Sequence, residues 1–452
     1  MRSLFESLFR LQQGRALEAL ASVPGPTPVF LVGNGLDLLG GDLHVKFEEW
    51  RARYGDLMRF FLFSQPSLLT AKPEHVVRIL VDRPDEWIKN VPRGATAPTG
   101  GESVFRAPDR KEWAPKRAAH PFEQRWITES YDALVPRIRE LVRARLDARV
   151  GQSINLYEEI LRVTFDAFAI IVLGETLPPE AFDDHERMLK EVGNRGALPV
   201  PFSPSPFFWW RRWRWRKRIA ARIARGSLGE RATDLVSMMS RAGTDMTKRL
   251  VHDELGNVFL AGMKNAALAA SSSTFLLTEH TVFGDRVRTE LDAAGLDPDR
   301  TTLLALPHLD RSVKEAGRLY PSVAGFVREV KPGERIELDG AILPPRTQVF
   351  LVSWIVHRHP EIWADPTRFD PDRFLEEPKP GTYFPFGLGL RFCVGRDLTI
   401  LVAKTVTAEI LSRFDVALDP GADYETKLVA VLTIPKRGVP CRLTRRATPR
   451  GT

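Results

Sequence analysis

"YFPFGLGLRFCVGRDLTILVAK", residues 383–404, puts one of the chain's two cysteines on a glycine-rich loop that runs into a helix. The helix is predicted from apolar residues at Leu398, Leu401, Val402 and Val406, which recur at the helical spacing. Cys393 then stands at the N-terminal end of that helix. Free backbone N–H groups and the helix dipole there favour a thiolate over a thiol. Gly387, Gly389 and Gly395 let the loop turn tightly and let a flat ligand approach the backbone closely. Phe386 can shield the sulfur from water, and Arg391 adds positive charge two residues away. The sulfur has no second cysteine or histidine beside it, so it is poorly suited to zinc, which takes about four ligands.

A soft, protected thiolate suits a single axial bond to a haem iron, where it pushes electron density toward bound oxygen. The pattern Phe386-Gly387-x-Gly389-x-Arg391-x-Cys393-x-Gly395 resembles the haem-binding loop of the cytochrome P-450 family, with every motif position filled. Other stretches match that family in the right order. "KEAGRLYP" holds Glu315 and Arg318, similar to the family's ExxR pair, and "FDPDRF" (369–374) looks like its PERF segment. "EWAPKRAAHPF" (112–122) looks like its WxxxR helix, with Trp113 and Arg117 one turn apart. The resemblance runs from about Pro26 to Thr444. It implies haem b as cofactor, with Cys393 as axial ligand of the iron. It further implies a buried network of Glu315, Arg318 and Arg373, and propionate contacts from Trp113, Arg117, Arg391 and Arg328 of "FVREV". Indole and cationic donors are what a buried dicarboxylate needs. The family fold is mainly α-helical with small β-sheets, a single large helical prism.

The coarse pattern of the chain agrees with that fold. A helix is predicted at 43–54, and two short strands in "LMRFFLFSQ" and "SLLTAKP". Residues 88–110, rich in glycine, proline and arginine, read as a long loop, and the helical period dominates from 113 to 320. Short β-like runs return at 323–354, followed by a helix near 396–413 and a hairpin-like pair ending in "PCRLT". We expect one domain over 1–452, with an N-terminal helix at 1–22 and an unstructured tail at 445–452.

The 452 residues are 43% apolar and 27% charged, as in a soluble globular protein. Lysine and arginine exceed acidic residues to give a net charge of +8, which favours acidic partners modestly and does not argue for nucleic acid. Two distant cysteines, Cys393 and Cys441, make no disulfide framework and point to a reducing, cytoplasmic setting. No apolar run is long enough to act as a transmembrane anchor. The first twenty residues place Leu4, Leu8 and Leu11 on one stripe, to pack on the body or to lie in a membrane interface. "PFFWWRRWRWRKRIAARIARG" (206–226) interleaves aromatics with arginines. Its plain reading is a helix with aromatics in the core and arginines in water; a membrane, partner or nucleic-acid surface is the alternative.

"LAGMKNAALAA" (260–270) matches the family's oxygen-side helix, with Ala261-Gly262 on the small-residue pair. Lys264 then falls where the family has an acid and Asn265 where it has an alcohol. That pair is the family's proton relay, and an Asn amide cannot release a proton at useful pH. Three readings follow. Lys264 can point away and pair with an acid while Asn265 holds water; either residue can anchor a polar substrate group; or the reaction is that of a peroxygenase, isomerase or dehydratase. The resemblance implies a monomeric monooxygenase that takes O2 and a small organic substrate, of secondary or lipid/terpenoid-type metabolism. Electrons would come from a separate ferredoxin or flavodoxin and its reductase, docked near Lys111, Lys116 and Arg117. Substrate contacts are expected from the 88–110 loop, Ala261, Asn265, Val323, Ala324 and Phe326. A non-catalytic haem protein, a gas sensor or carrier, is the reading from another class.

Overall fold

Apolar residues at the helical period build most of the chain into helices, and glycine or proline ends many of them. The structure is a computed structural model and describes residues 14, 17–29, 32–38, 42–89, 103–123, 126–196, 205–242, 248–429 and 431–447. In chain order its main elements begin with α1 (Leu43–Tyr54), β1 (Leu57–Leu62), β2 (Gln65–Thr70), β3 (Trp87–Lys89), α2 (Arg110–Ala118) and α3 (Trp126–Asp147). There follow β4 (Ser153–Asn155), α4 (Leu156–Leu173), α5 (Pro179–Gly196), α6 (Pro206–Ala224) and α7 (Lys248–Val258). A π-helical segment, Phe259–Met263, joins α7 to α8 (Lys264–Glu279), which leads to α9 (Thr281–Ala294) and α10 (Pro307–Leu319). Next come β5 (Phe326–Val330), β6 (Ile336–Leu338), β7 (Ala341–Leu343) and β8 (Gln348–Leu351). The chain closes with α11 (Arg396–Arg413), β9 (Phe414–Leu418), β10 (Thr426–Val429), β11 (Leu432–Pro435) and β12 (Pro440–Arg445). The fold is thus mainly α with small sheets, as expected.

α4, α8 and α11 are buried on nearly every side, so they form the centre rather than a shell. With α3 they enclose the larger apolar core. A second core lies under the five-stranded sheet, in the order β1-β2-β8-β5-β3. In it β2 and β8 run parallel and the other pairs antiparallel. The β3–β5 register sets Lys89 directly opposite Arg328.

Three expectations need correction. β12 is not half of a local hairpin: it pairs with β9 and β4, while residues before it close their own β10–β11 hairpin. Cys441 and Leu443 alternate into the main core, and that pattern draws β12 to the helical body. Arg446, within the expected tail, is held to the body by two 2.7 Å bonds to the Asp292 carboxylate. The 88–110 segment is not one loop, since β3 ends at Lys89, Val104–Arg106 form a 3-10 turn and α2 starts at Arg110. Residues 1–13, 90–102 and 448–452, including the leucine stripe, lie outside the described residues.

Candidate functional site

The cysteine loop is shaped by two glycines with positive φ, Gly387 at 74° and Gly389 at 64°. A Cβ on Gly389 would sit 1.9 Å from the Leu80 carbonyl oxygen, so backbone passes where a side chain would be. The Cys393 N–H donates to the Phe386 carbonyl at 3.0 Å and closes the loop. Burial pushes the Cys393 thiol up, while the Gly395 N–H and the Arg117 charge pull it down. Burial thus opposes the thiolate, and the loop N–H and the Arg117 charge favour it, as expected of a position at the helix terminus. Arg117 donates to the Phe392 carbonyl at 2.8 Å and Arg391 to that of Ala107 at 2.7 Å. Both guanidiniums stack near the buried Trp113 ring, at 5.8 and 5.6 Å from its centroid.

Beside this loop the sheet collects cations. Lys89 and Arg328 face each other across the β3–β5 ladder, where like charges oppose pairing. Burial, then Arg328 and Arg391, bring Lys89 down to about 7; burial and then Arg391 bring Arg328 down to about 10. Their hydrogen bonds go only to carbonyls, those of Phe105, Val327 and, for Arg391, Ala107. Among the described residues none of the three forms a salt bridge. One buried cation, Arg328, held with two half-buried ones, Lys89 and Arg391, and no carboxylate partner among the described residues, suits an anionic guest. Lys89 carries no signal in the sequence, because only strand pairing brings it to Arg328.

Glu315 and Arg318 are both fully buried and form a bidentate pair at 2.7 and 2.8 Å. Arg318 also donates to the carbonyls of His357, Pro366 and Arg368 at 2.7, 2.6 and 3.1 Å. Arg373 stands 3.4 Å from Glu315, within ion-pair distance, and the Asp370 N–H bonds the same carboxylate at 2.9 Å. This network bolts α10 to the segment that precedes the cysteine loop and is separate from the cation cluster.

On α8 the two unusual residues part company. The Lys264 ammonium lies 2.7 Å from Glu186 of α5, and its side chain is only 8% exposed. Burial alone would push Glu186 up, but His185 and Lys264 outweigh it and carry it down to about 2. Asn265 donates its amide to the Ala261 carbonyl, and its Oδ1 is buried with no partner. The π segment spans Ala261 and Gly262, and a Cβ on Gly262 would come 2.4 Å from the Phe168 ring. Of the remaining expected contacts, Val323 is bridged to Leu432 and the Ala324 carbonyl accepts from Ser353 and Trp354. The Phe326 ring lies 3.6 Å from the position of a Gly387 Cβ, against the cysteine loop.

Residues 23–442 match the protein family described as Cytochrome P450. Cytochrome P450 26B1 of Mus musculus is 27% identical over 402 residues, covering 81% of this chain and 76% of that protein. Abscisic acid 8'-hydroxylase 3 of Oryza sativa subsp. indica is 24% identical over 450 residues, covering 95% and 87%. A solved structure of retinoic acid bound cyanobacterial CYP120A1 superposes with a TM-score of 0.81 at 23% identity, covering 94% of this chain and 99% of that one. The family match takes in α2, α8, the Glu315–Arg318 bolt and the cysteine loop, and on that extent this chain belongs to the cytochrome P450 family.

Proposed function

We propose that this haem-binding monooxygenase hydroxylates a small apolar acid of isoprenoid type, with electrons from a separate acidic ferredoxin or flavodoxin. The observation that carries the site is the partly buried cation cluster of Lys89, Arg328 and Arg391 beside the Cys393 loop. Its demand for a dianion fits the two propionates of haem b, with Trp113 and Arg117 completing the donor set. Cys393 is then the axial ligand, and Gly387, Gly389 and Gly395 leave room for the flat ring to lie against backbone. When bound through a thiolate, haem supplies the iron at which dioxygen is reduced and split.

The chain's own contribution on the other side lies in α8. Ala261 and Gly262 add little bulk where the helix widens into its π turn. Asn265, anchored to the Ala261 carbonyl, turns an unpaired Oδ1 to any water or hydroxyl that enters. Lys264 is neutralised by Glu186, so it is not a substrate anchor. Val323 and Ala324 offer apolar wall, whereas Phe326 packs against the cysteine loop. The substrate class rests on two names among the relatives, abscisic acid and retinoic acid, both isoprenoid acids.

The test is a titration of the haem-loaded protein with retinoic acid and with its methyl ester, following the spin-state shift of the haem band. The acid is expected to shift the band at a lower concentration than the ester. Equal response, or none, removes the proposed class. A peroxide-driven reaction is the second reading, favoured because the Asn265 amide does not release a proton at useful pH. Turnover with peroxide but not with O2 and a reductant selects it.

A further inference from the structure

The arginine-rich helix α6 is not used by the site described above. The structure divides its aromatics: Phe208 and Trp215 enter the core, but Phe207, Trp209, Trp210 and Trp213 are 68%, 45%, 50% and 54% exposed. The plain reading of the sequence, aromatics inward and arginines outward, thus holds for only two of the six aromatics. Trp209 and Trp213 lie one turn apart with Lys217 one turn further on, so the tryptophans and a lysine line one outer strip. Scattered single apolar side chains are ordinary on a protein surface, whereas adjoining large aromatics on one helix face are not.

Each of these rings carries a cation: Arg211 over Phe207, Arg212 over Trp209, Arg214 over Trp210 and Lys217 over Trp213, at 4.6–5.9 Å. Between Pro206 and Ala224 there are seven arginines and lysines and no carboxylate. Arg211, Arg214 and Arg218 share the single carboxylate of Asp184, which leaves the strip positively charged. Tryptophan with flanking arginine and lysine is the composition of a lipid headgroup interface. There the indole sits at the acyl boundary and long cationic chains reach the phosphates.

We infer that α6 docks the protein, as a peripheral contact, onto an anionic lipid bilayer. No helix among the described residues is long and apolar enough to cross a membrane, so the contact is made in the plane of the surface. The inner side of the same helix gives Phe208 and Trp215 to a cleft that reaches Gly256 and Leu260, at the start of the π segment. An apolar substrate dissolved in the bilayer would therefore meet this wall of the enzyme first. That consequence rests on the proposed substrate class; the docking does not.

The test uses the full haem-loaded chain with phosphatidylcholine vesicles, with and without phosphatidylglycerol, read by co-sedimentation. The wild type is expected to sediment with phosphatidylglycerol vesicles and much less with phosphatidylcholine alone. The triple variant Trp209→Ser, Trp210→Ser, Trp213→Ser is expected to lose about tenfold or more in vesicle affinity. Its carbon monoxide difference band should be unchanged, since all three side chains point away from the core. Failure of the wild type to bind either vesicle overturns the inference. So does equal binding by the triple variant, which would move the contact to another segment. Binding of a DNA fragment without vesicle binding assigns the strip to nucleic acid and also overturns it.

Discussion

Lys264 and Asn265 are neighbours in sequence, yet the helix sends them to different tasks, and each can be tested by one substitution. Lys264→Asp, which would restore the acid usual in the family, sets a carboxylate against Glu186 in a mostly buried place. It should lower stability by about 2 kcal/mol, less than for a fully buried pair because Glu186 is partly exposed. Adding Glu186→Lys should recover most of that loss, and a double-mutant cycle by denaturant unfolding measures it. Asn265→Thr keeps a donor to the Ala261 carbonyl and adds a hydroxyl that exchanges protons. It should raise product formed per electron consumed in the O2-driven reaction. Glu254 gives a third case: burial lifts it to about 7, opposed by the Val104 N–H and by Lys116. His120, at 3.6 Å, is lowered by burial to about 3 and stays neutral, so it does not offset a Glu254 charge. An acid raised in the folded state binds more protons folded than unfolded, so Glu254's contribution to stability falls as pH climbs from 4.5 to about 7, while that of the neutral His120 rises up to 6.5. Glu254→Gln keeps the acceptor and should remove the Glu254 part, so that its stability relative to wild type rises by up to about 3 kcal/mol between pH 4.5 and 7, in thermal midpoints read against pH.

At the scale of elements, the cysteine loop was the most legible part of the chain, because its chemistry is contiguous. Glycines, phenylalanine, arginine and cysteine within ten positions specify both the turn and the ligand. Gly389 shows why the pattern is strict: its φ of 64° and the Leu80 carbonyl both exclude a side chain. Gly389→Ala should therefore displace the loop, with carbon monoxide spectra showing loss of the thiolate-ligated band. The Glu315–Arg318 pair was legible only through its family spacing, since a three-residue interval on a helix occurs widely. Burial supplies what the spacing lacked, and Arg318→Lys, which cannot keep the fork of five hydrogen bonds, should cost about 3 kcal/mol or more. Lys89 and Glu186 were not legible. Each acquires its role from a partner on a distant element, Arg328 through the β3–β5 register and Lys264 through the packing of α5 on α8.

For the whole molecule, the net charge of +8 gives no location, and location is what decides partners. The exposed Lys111 stands on α2, the helix that also carries Trp113 and Arg117 toward the cysteine loop. Arg117 is tied to Phe392, whereas the exposed Lys111 has no salt bridge among the described residues and can act at long range on an approaching acidic redox protein. Such steering acts on the rate of encounter and is screened by salt, with a Debye length of about 10 Å at 0.1 M. Lys111→Glu should therefore slow reduction by a ferredoxin or flavodoxin several-fold at low ionic strength, and the difference should shrink steadily as salt is added. Stopped-flow formation of the ferrous carbonyl complex measures it. The variant must keep its carbon monoxide band and its response to substrate, because Lys111 touches neither loop nor pocket wall. A slowing that persists unchanged at high salt would mean that α2 itself had shifted, and electron entry would then have to be sought on another face.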